Sequence, residues 1–301
     1  MIGPTSRTAP AGAGGAAPLS RKLRIVSLLP SATETLFALG LGDQLVAVTH
    51  ECDYPPEAAA LPVVTRSTLD FAGKSSAEIE DAVALAARDG ASLYEVDTAA
   101  IRDLHPDLVV AQDVCRVCAV PASQVMDDLS PIPVLRQHPH TLEDVLGDIE
   151  SLASACQSDA RPLMSSLRER MAAAAGKARS RPRVRGVFLE WLDPPYPAGH
   201  WTPDILSLAG IDDPLARPGT PSSAISWDEV KAAAPDLLVL APCGWDLERA
   251  GSEVERVRDR IDGVGASKVI VLDGSAYFNR PGPRLVDSVE VLVEKTVRTW
   301  C

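Results

Sequence analysis

Residues 104–115 read "LHPDLVVAQDVC" and residues 233–244 read "AAPDLLVLAPCG". Each takes a Pro-Asp-Leu step into a nearly unbroken apolar run that ends at a cysteine. A short run with no polar face is the mark of a strand inside a parallel sheet covered on both sides by helices. A second pair of matches sits at one common step of the same scheme. "TETLFALG" (33–40) and "PDILSLAG" (203–210) both read as helices closed by glycine. Two matched pairs in the same order predict two α/β lobes of similar build.

The rest of the chain fits around them. "RIVSLL" (24–29) is a strand, and "PSATETLFALG" starts a helix with Ser31 as N-cap and Glu34 three residues on, a capping box. "QLVAVTH" (44–50) is a buried strand, "SAEIEDAVALAARD" (76–89) an amphipathic helix and "IPVLR" (132–136) a strand. In the second half, "VRGVFLEW" (184–191) and "KVIVLDG" (268–274) are strands, and "PRLVDSVEVLVEKTVRTW" (283–300) is the closing helix. Between the halves, "TLEDVLGDIESLASACQ" (141–157) and "ARPLMSSLRERMAAAAGKAR" (160–179) carry apolar residues at helical spacing. Cys156 falls in that apolar stripe. The predicted organisation is a disordered Ala/Gly/Pro/Ser-rich tail over 1–22, an N-terminal lobe over 23–140, a helical connector over 141–182 and a C-terminal lobe over 183–301. The fold class is α/β: two Rossmann-like lobes with parallel sheets joined by a long helix.

Composition excludes several functions. Lysine and arginine number 29 against 41 aspartates and glutamates, for a net charge of −12. A nucleic-acid partner needs a basic face to replace counterions, so none is expected. No segment approaches the ~18–20 unbroken apolar residues of a membrane helix, so no membrane insertion is expected. Residues 1–22 contain no apolar signal core, which predicts a cytoplasmic location, or a periplasmic one if translation begins elsewhere. No Gly-x-Ser-x-Gly, Walker loop, Gly-x-Gly-x-x-Gly or His-Glu-x-x-His is present, which leaves enzyme activity unassigned and favours a binding role.

Ligands of open parallel sheets bind beyond the carboxyl ends of the strands. The loops after the strands are "HECDYPPE" (50–57), "QDVCRVC" (112–118), "LDPPYPAGHW" (192–201), "CGWD" (243–246) and "GSAYFNRPGPR" (274–284). They hold the candidate metal ligands Cys52, Cys115, Cys118, Cys243, His50 and His200. They also hold Tyr54, Trp201, Trp245, Tyr277 and Phe278, in a chain only 4% aromatic. Those five, with Ser31, Glu34, Arg66 and Arg284, are the candidate ligand contacts; a flat ligand suits aromatic side chains from several loops.

The stretch "RIVSLLPSATETLFALGLGDQLVAVTHECDYPPEA" (24–58) resembles the start of the class III substrate-binding proteins for vitamin B12 and iron–siderophores. The cobalamin-binding branch shares its Ser-Pro-x-x-Thr-Glu-like helix start and its Asp-Tyr-Pro-Pro turn. The resemblance covers about residues 23–300. It implies two lobes with a ligand in a largely aromatic cleft that moves little on binding. It implies Tyr54 as a ligand contact and an ABC transporter permease as partner if the chain is exported. The expected ligand is cobalamin, another corrinoid or a similar metal chelate.

The cysteines and the His50-Glu51-Cys52 run are not part of that family's usual pattern. They support a rival, a cytoplasmic metalloprotein or metalloenzyme that binds zinc or iron through cleft cysteines and histidines. A thiol-redox protein built on Cys115-x-x-Cys118 is a third reading. If one ion is shared, Cys52 must approach the Cys115/Cys118 pair.

Overall fold

The structure, a computed structural model, describes residues 21–114 and 120–297. The N-terminal lobe contains β1 (Ile25–Ser27), α1 (Pro30–Ala38), β2 (Leu45–Ala47), β3 (Thr65–Ser67), α2 (Ser76–Arg88), β4 (Tyr94–Val96), α3 (Thr98–Asp103), β5 (Leu108–Gln112), α4 (Ala122–Leu129) and β6 (Val134–Gln137). Two helices follow, α5 (Leu142–Ala155) and α6 (Arg161–Arg179). The C-terminal lobe contains β7 (Val184–Leu192), β8 (Pro195–Pro197), α7 (Thr202–Leu208), β9 (Ile211–Asp212), α8 (Trp227–Ala232), β10 (Leu237–Leu240), α9 (Leu247–Arg256), α10 (Arg258–Val264), β11 (Lys268–Val271), α11 (Gly274–Tyr277) and α12 (Leu285–Val297).

The N-terminal sheet has the order β2-β1-β5-β6, all parallel, with Ile25 opposite Leu108 and Val110 opposite Leu135. The C-terminal sheet has the order β11-β10-β7-β8, parallel except for β8, with β9 added beside β7. The two Pro-Asp-Leu runs become β5 and β10, each inside its sheet and buried at every position. The repeat extends to the backbone. His105 and Ala234, which precede the matched prolines, both have positive φ, at 45° each. Gly40 and Gly210, which end the matched helices, have φ of 74° and 78°, a left-handed conformation that glycine adopts without a Cβ clash.

Helix α5 ties the lobes together. Its first half, through Leu142, Val145, Leu146 and Ile149, packs into the C-terminal core with Phe188, Trp201 and Ile205. Leu152 and Cys156, at its far end, pack into the N-terminal core with Ile25, Leu36 and Val110. A capping box fixes its start: Asp144 N–H donates to Thr141 Oγ1 at 3.2 Å, and Thr141 N–H donates to Asp144 Oδ2 at 2.9 Å. The connector comprises these two helices, with α6, 19 residues long, packed on α7 and α12.

The capping box predicted at Ser31 is absent. Leu29 is the N-cap of α1, with no side-chain cap, and Pro30 opens the helix. The Ser31 hydroxyl is buried without a partner among the described residues, and the Glu34 carboxylate points across the lobe boundary instead.

Candidate functional site between the lobes

The carboxyl ends of both parallel sheets meet at the boundary between the lobes. One part of that boundary is a buried ion-pair network. Glu34 of α1 accepts from Arg284 Nε at 2.8 Å and from Arg284 Nη2 at 2.6 Å. Arg280 Nη1 donates to Glu34 Oε1 at 3.2 Å and also to Asp53. Arg280 Nη2 donates to the Glu51 carbonyl at 3.2 Å and to Ser275 Oγ at 3.1 Å. Arg280 is 6% exposed and the Glu34 side chain 2%. Burial opposes the charge on both guanidiniums, but their carboxylate partners outweigh it and raise both pKa values. Burial would raise Asp53, yet the Arg280 guanidinium holds it below the usual carboxylate range. The Arg284 guanidinium also lies 4.1 Å from the centre of the Tyr54 ring, a cation–π contact. Gly282 fits the same seam: a Cβ there would lie 3.2 Å from the Ser31 carbonyl oxygen.

A second part is aromatic. Trp191 at the end of β7 and Trp245 after β10 pair with ring centres 4.9 Å apart, and Arg249 covers Trp245 at 4.6 Å. The Trp191 indole N–H is buried without a partner among the described residues. An open groove of about 340 Å³ runs beside Trp245 and Arg249 to Gly73 and Lys74 of the other lobe. On the N-terminal side, His50, Tyr94, Thr49 and Pro30 line a void of about 10 Å³, the space of roughly one water. His50 Nδ1 is 2.7 Å from Thr65 Oγ1.

A third part is a group of histidines. His138 and His140, after β6, approach through their Nε2 atoms at 2.9 Å. His140 stacks across the boundary on His200 with ring centres 5.9 Å apart, and His200 holds a positive φ of 48°. Burial, with the charges of His140 and His138, pushes the His200 pKa down, so its neutral form is favoured. The sequence reading named His200 but missed the other two; the His-x-His spacing after a strand was the available signal.

Several predicted contacts point elsewhere. Trp201 is 6% exposed and lies in the C-terminal core, its indole N–H donating to the Phe278 carbonyl at 2.7 Å. Phe278 packs on Phe188 in that core, and Tyr277 lies against it. Arg66 is on the surface of the β3–β4 hairpin, where its Nε donates to Glu95 at 2.8 Å. Each loop aromatic at a strand end had two faces available, and the larger apolar core took these three.

The shared metal site is corrected on Cys52. Its sulfur faces the N-terminal core, 3.1 Å from both the Thr33 and the Thr49 hydroxyl oxygens. Burial pushes its thiol pKa up, against those hydrogen bonds and the Arg280 charge. Cys115 and Cys118 lie outside the described residues. Cys243 is half-buried after β10, with its N–H donating to the Glu190 carbonyl at 2.9 Å. Among the described residues, no three of His, Cys, Asp and Glu are placed to hold a metal ion. The rival metalloprotein reading gains no support from them.

Comparison with known proteins agrees with this architecture. The family described as periplasmic binding protein matches residues 25–259. A vitamin B12-binding protein of Vibrio cholerae is 26% identical over 278 residues, covering 89% of this chain and 86% of the relative. One from Yersinia pestis is 25% identical over 293 residues, covering 90% and 85%. Among solved structures, the periplasmic vitamin B12 binding protein of Vibrio cholerae superposes with a TM-score of 0.66 at 23% identity, covering 92% of this chain and 99% of that one. A periplasmic heme-binding protein from Pseudomonas aeruginosa superposes at 0.69 with 18% identity, covering 92% and 93%. These findings overturn the expected cytoplasmic location, since the family and these solved neighbours are periplasmic. The reading of residues 1–22 failed because it drew a compartment from a missing signal core. With its two parallel-sheet lobes, its helical connector and a family match over most of its length, the chain belongs to the periplasmic binding proteins.

Proposed function

We propose that this protein binds a corrinoid or a related metal-bearing tetrapyrrole between its lobes, as the substrate-binding component of an ABC transporter. The observation that carries the reading is the Trp191–Trp245 pair at the ends of the neighbouring strands β7 and β10, where the Trp191 indole N–H has no partner among the described residues. Trp191, half-buried and backed by the buried Trp245, offers a flat macrocycle π contact, and its free N–H offers a peripheral amide or carboxylate a donor. Relatives matched over most of their length bind vitamin B12 by name, and solved neighbours of the same fold bind vitamin B12 or heme. Tyr54, held over Arg284 at the same seam, is the third aromatic contact.

The ligand is bound rather than converted. Glu34 and Asp53 are occupied by arginines, so neither is free for acid–base work. Isothermal titration with cyanocobalamin, cobinamide and hemin tests the reading, together with tryptophan fluorescence. Saturable binding with quenching of Trp191 and Trp245 is expected for one of the three. Absence of binding by all three removes the proposal. Co-purification with a permease expressed from the same host tests the transport role.

A further inference from the structure

We infer that the excursion β3–α2–β4 is a lid closed over the interlobe cleft and latched to the C-terminal lobe by Glu253. Strands β3 and β4 form a two-stranded antiparallel sheet of their own, outside the four-stranded sheet of the N-terminal lobe. Helix α2 rides on that stem. Only Ser76 and Ile79 of its 13 residues are buried, and none of the 13 belongs to a hydrophobic core cluster of either lobe. Leu85 on its outer face is 53% exposed. The strand that α2 packs on most closely is β7, in the opposite lobe. A helix with so little core of its own is held by its docking contacts.

Beside the one buried apolar side chain of α2, Ile79, the docking rests on a few hydrogen bonds. Glu253 of α9, 3% exposed, accepts from the Ser76 N–H at 2.9 Å and from the Ser76 hydroxyl. Ser76 is the first residue of α2, so a carboxylate from the C-terminal lobe fills an open donor at a helix N-terminus, where the dipole favours it. Tyr196 O–H donates to Glu80 of α2 at 2.8 Å. Arg249 Nη2 donates to the Phe71 carbonyl at 2.8 Å, on the segment leading into α2. Gly73, with a φ of 70°, turns the chain between that carbonyl and the helix. The groove beside Trp245 lies against this same segment.

The cleft must open for the proposed ligand. The groove of about 340 Å³ is near the small end of the ~300–1,000 Å³ typical of drug-sized sites, and a corrinoid is larger than such ligands. The Glu34–Arg280–Arg284 network resists separation because it buries two guanidiniums against shared carboxylates. The α2 latch exposes one carboxylate and a helix end that water can satisfy, so it is the side that yields. The opening is confined to the lid, and the lobes themselves, joined through α5, keep the small relative movement that the family resemblance implies. The importance of the lid for ligand entry rests on the proposed function; the lid itself does not.

Hydrogen–deuterium exchange of the full chain without ligand tests the lid directly. In the parent protein, amides 77–88 should exchange faster than those of β5 and β10. Glu253→Ala should speed exchange over 77–88 about tenfold or more, the loss of hydrogen bonds to a charged acceptor, and leave β10 unchanged. Tyr196→Phe should act in the same direction with a smaller effect. Unchanged exchange in α2, or equal acceleration throughout the C-terminal lobe, overturns the lid. The association rate of cyanocobalamin or hemin should rise in Glu253→Ala. Faster exchange in α2 with no binding of either probe keeps the lid and removes the ligand reading. Binding at an unchanged association rate removes the lid's role in entry.

Discussion

Glu34 in the N-terminal lobe and Arg284 in the C-terminal lobe, 250 residues apart in sequence, meet in a two-point hydrogen-bonded ion pair at 2.6 and 2.8 Å. Arg280 shares the same carboxylate, so one side chain joins two buried cations across the lobe boundary. Glu34→Ala should destabilise the protein by roughly 3–5 kcal/mol, because it leaves the guanidiniums desolvated with one partner fewer. Urea unfolding at pH 7 measures it. A loss under about 1 kcal/mol would show that the lobes are held elsewhere.

Asp213 gives a pH dependence. It accepts the Phe188 N–H at 2.9 Å and the Leu215 N–H at 2.8 Å, and burial pushes its pKa from 3.8 up to about 6 against those bonds. A raised carboxylate pKa adds stability that is complete below the unfolded value and is lost as pH rises through the folded value. The relevant window is therefore about pH 4 to 6. Over it the parent protein should lose on the order of 3 kcal/mol that Asp213→Asn does not lose. The measurement is urea midpoints of both proteins at pH 4, 5, 6 and 7. Parallel profiles would contradict the raised pKa.

Tyr54 is 45% exposed, and its ring covers Arg284. Tyr54→Phe should keep stability and ligand affinity close to the parent. Tyr54→Ala should cost about 0.5–1 kcal/mol of stability through the lost cation–π contact. It should also weaken binding of whichever probe titrates. Unchanged affinity in the alanine variant would take Tyr54 out of the binding site.

Thiol chemistry should follow burial. Burial pushes Cys156 up to about 11 and raises Cys52 as well. Iodoacetamide at pH 8 should label Cys243, which is half-buried, well before Cys52 or Cys156 in the native protein. Peptide mapping by mass spectrometry reads the order. Early labelling of Cys52 would mean that its side chain reaches the cleft, and would reopen the shared metal site.

The sequence by itself determined the two-lobe plan. The Pro-Asp-Leu runs became interior strands of two parallel sheets, and the matched helices end in left-handed glycines at Gly40 and Gly210. These features are local: a residue's periodicity, its neighbour proline or its missing Cβ restricts the backbone wherever the chain goes. Side-chain direction was not local. "Ser31…Glu34" is a sound capping box by spacing, yet two arginines some 250 residues away offered the carboxylate a charged partner, and it turned to them. Trp201 and Phe278 sit in loops after strands, as read, but face the C-terminal core because apolar burial there outweighed a place at the cleft. Cys52 went to the core between two threonine hydroxyls for the same reason. The His138–His140–His200 group and the docking of α2 on the opposite lobe needed the lobes in contact before either could be seen. Tertiary structure decided them because each depends on surfaces that far-separated segments create only when they fold against each other.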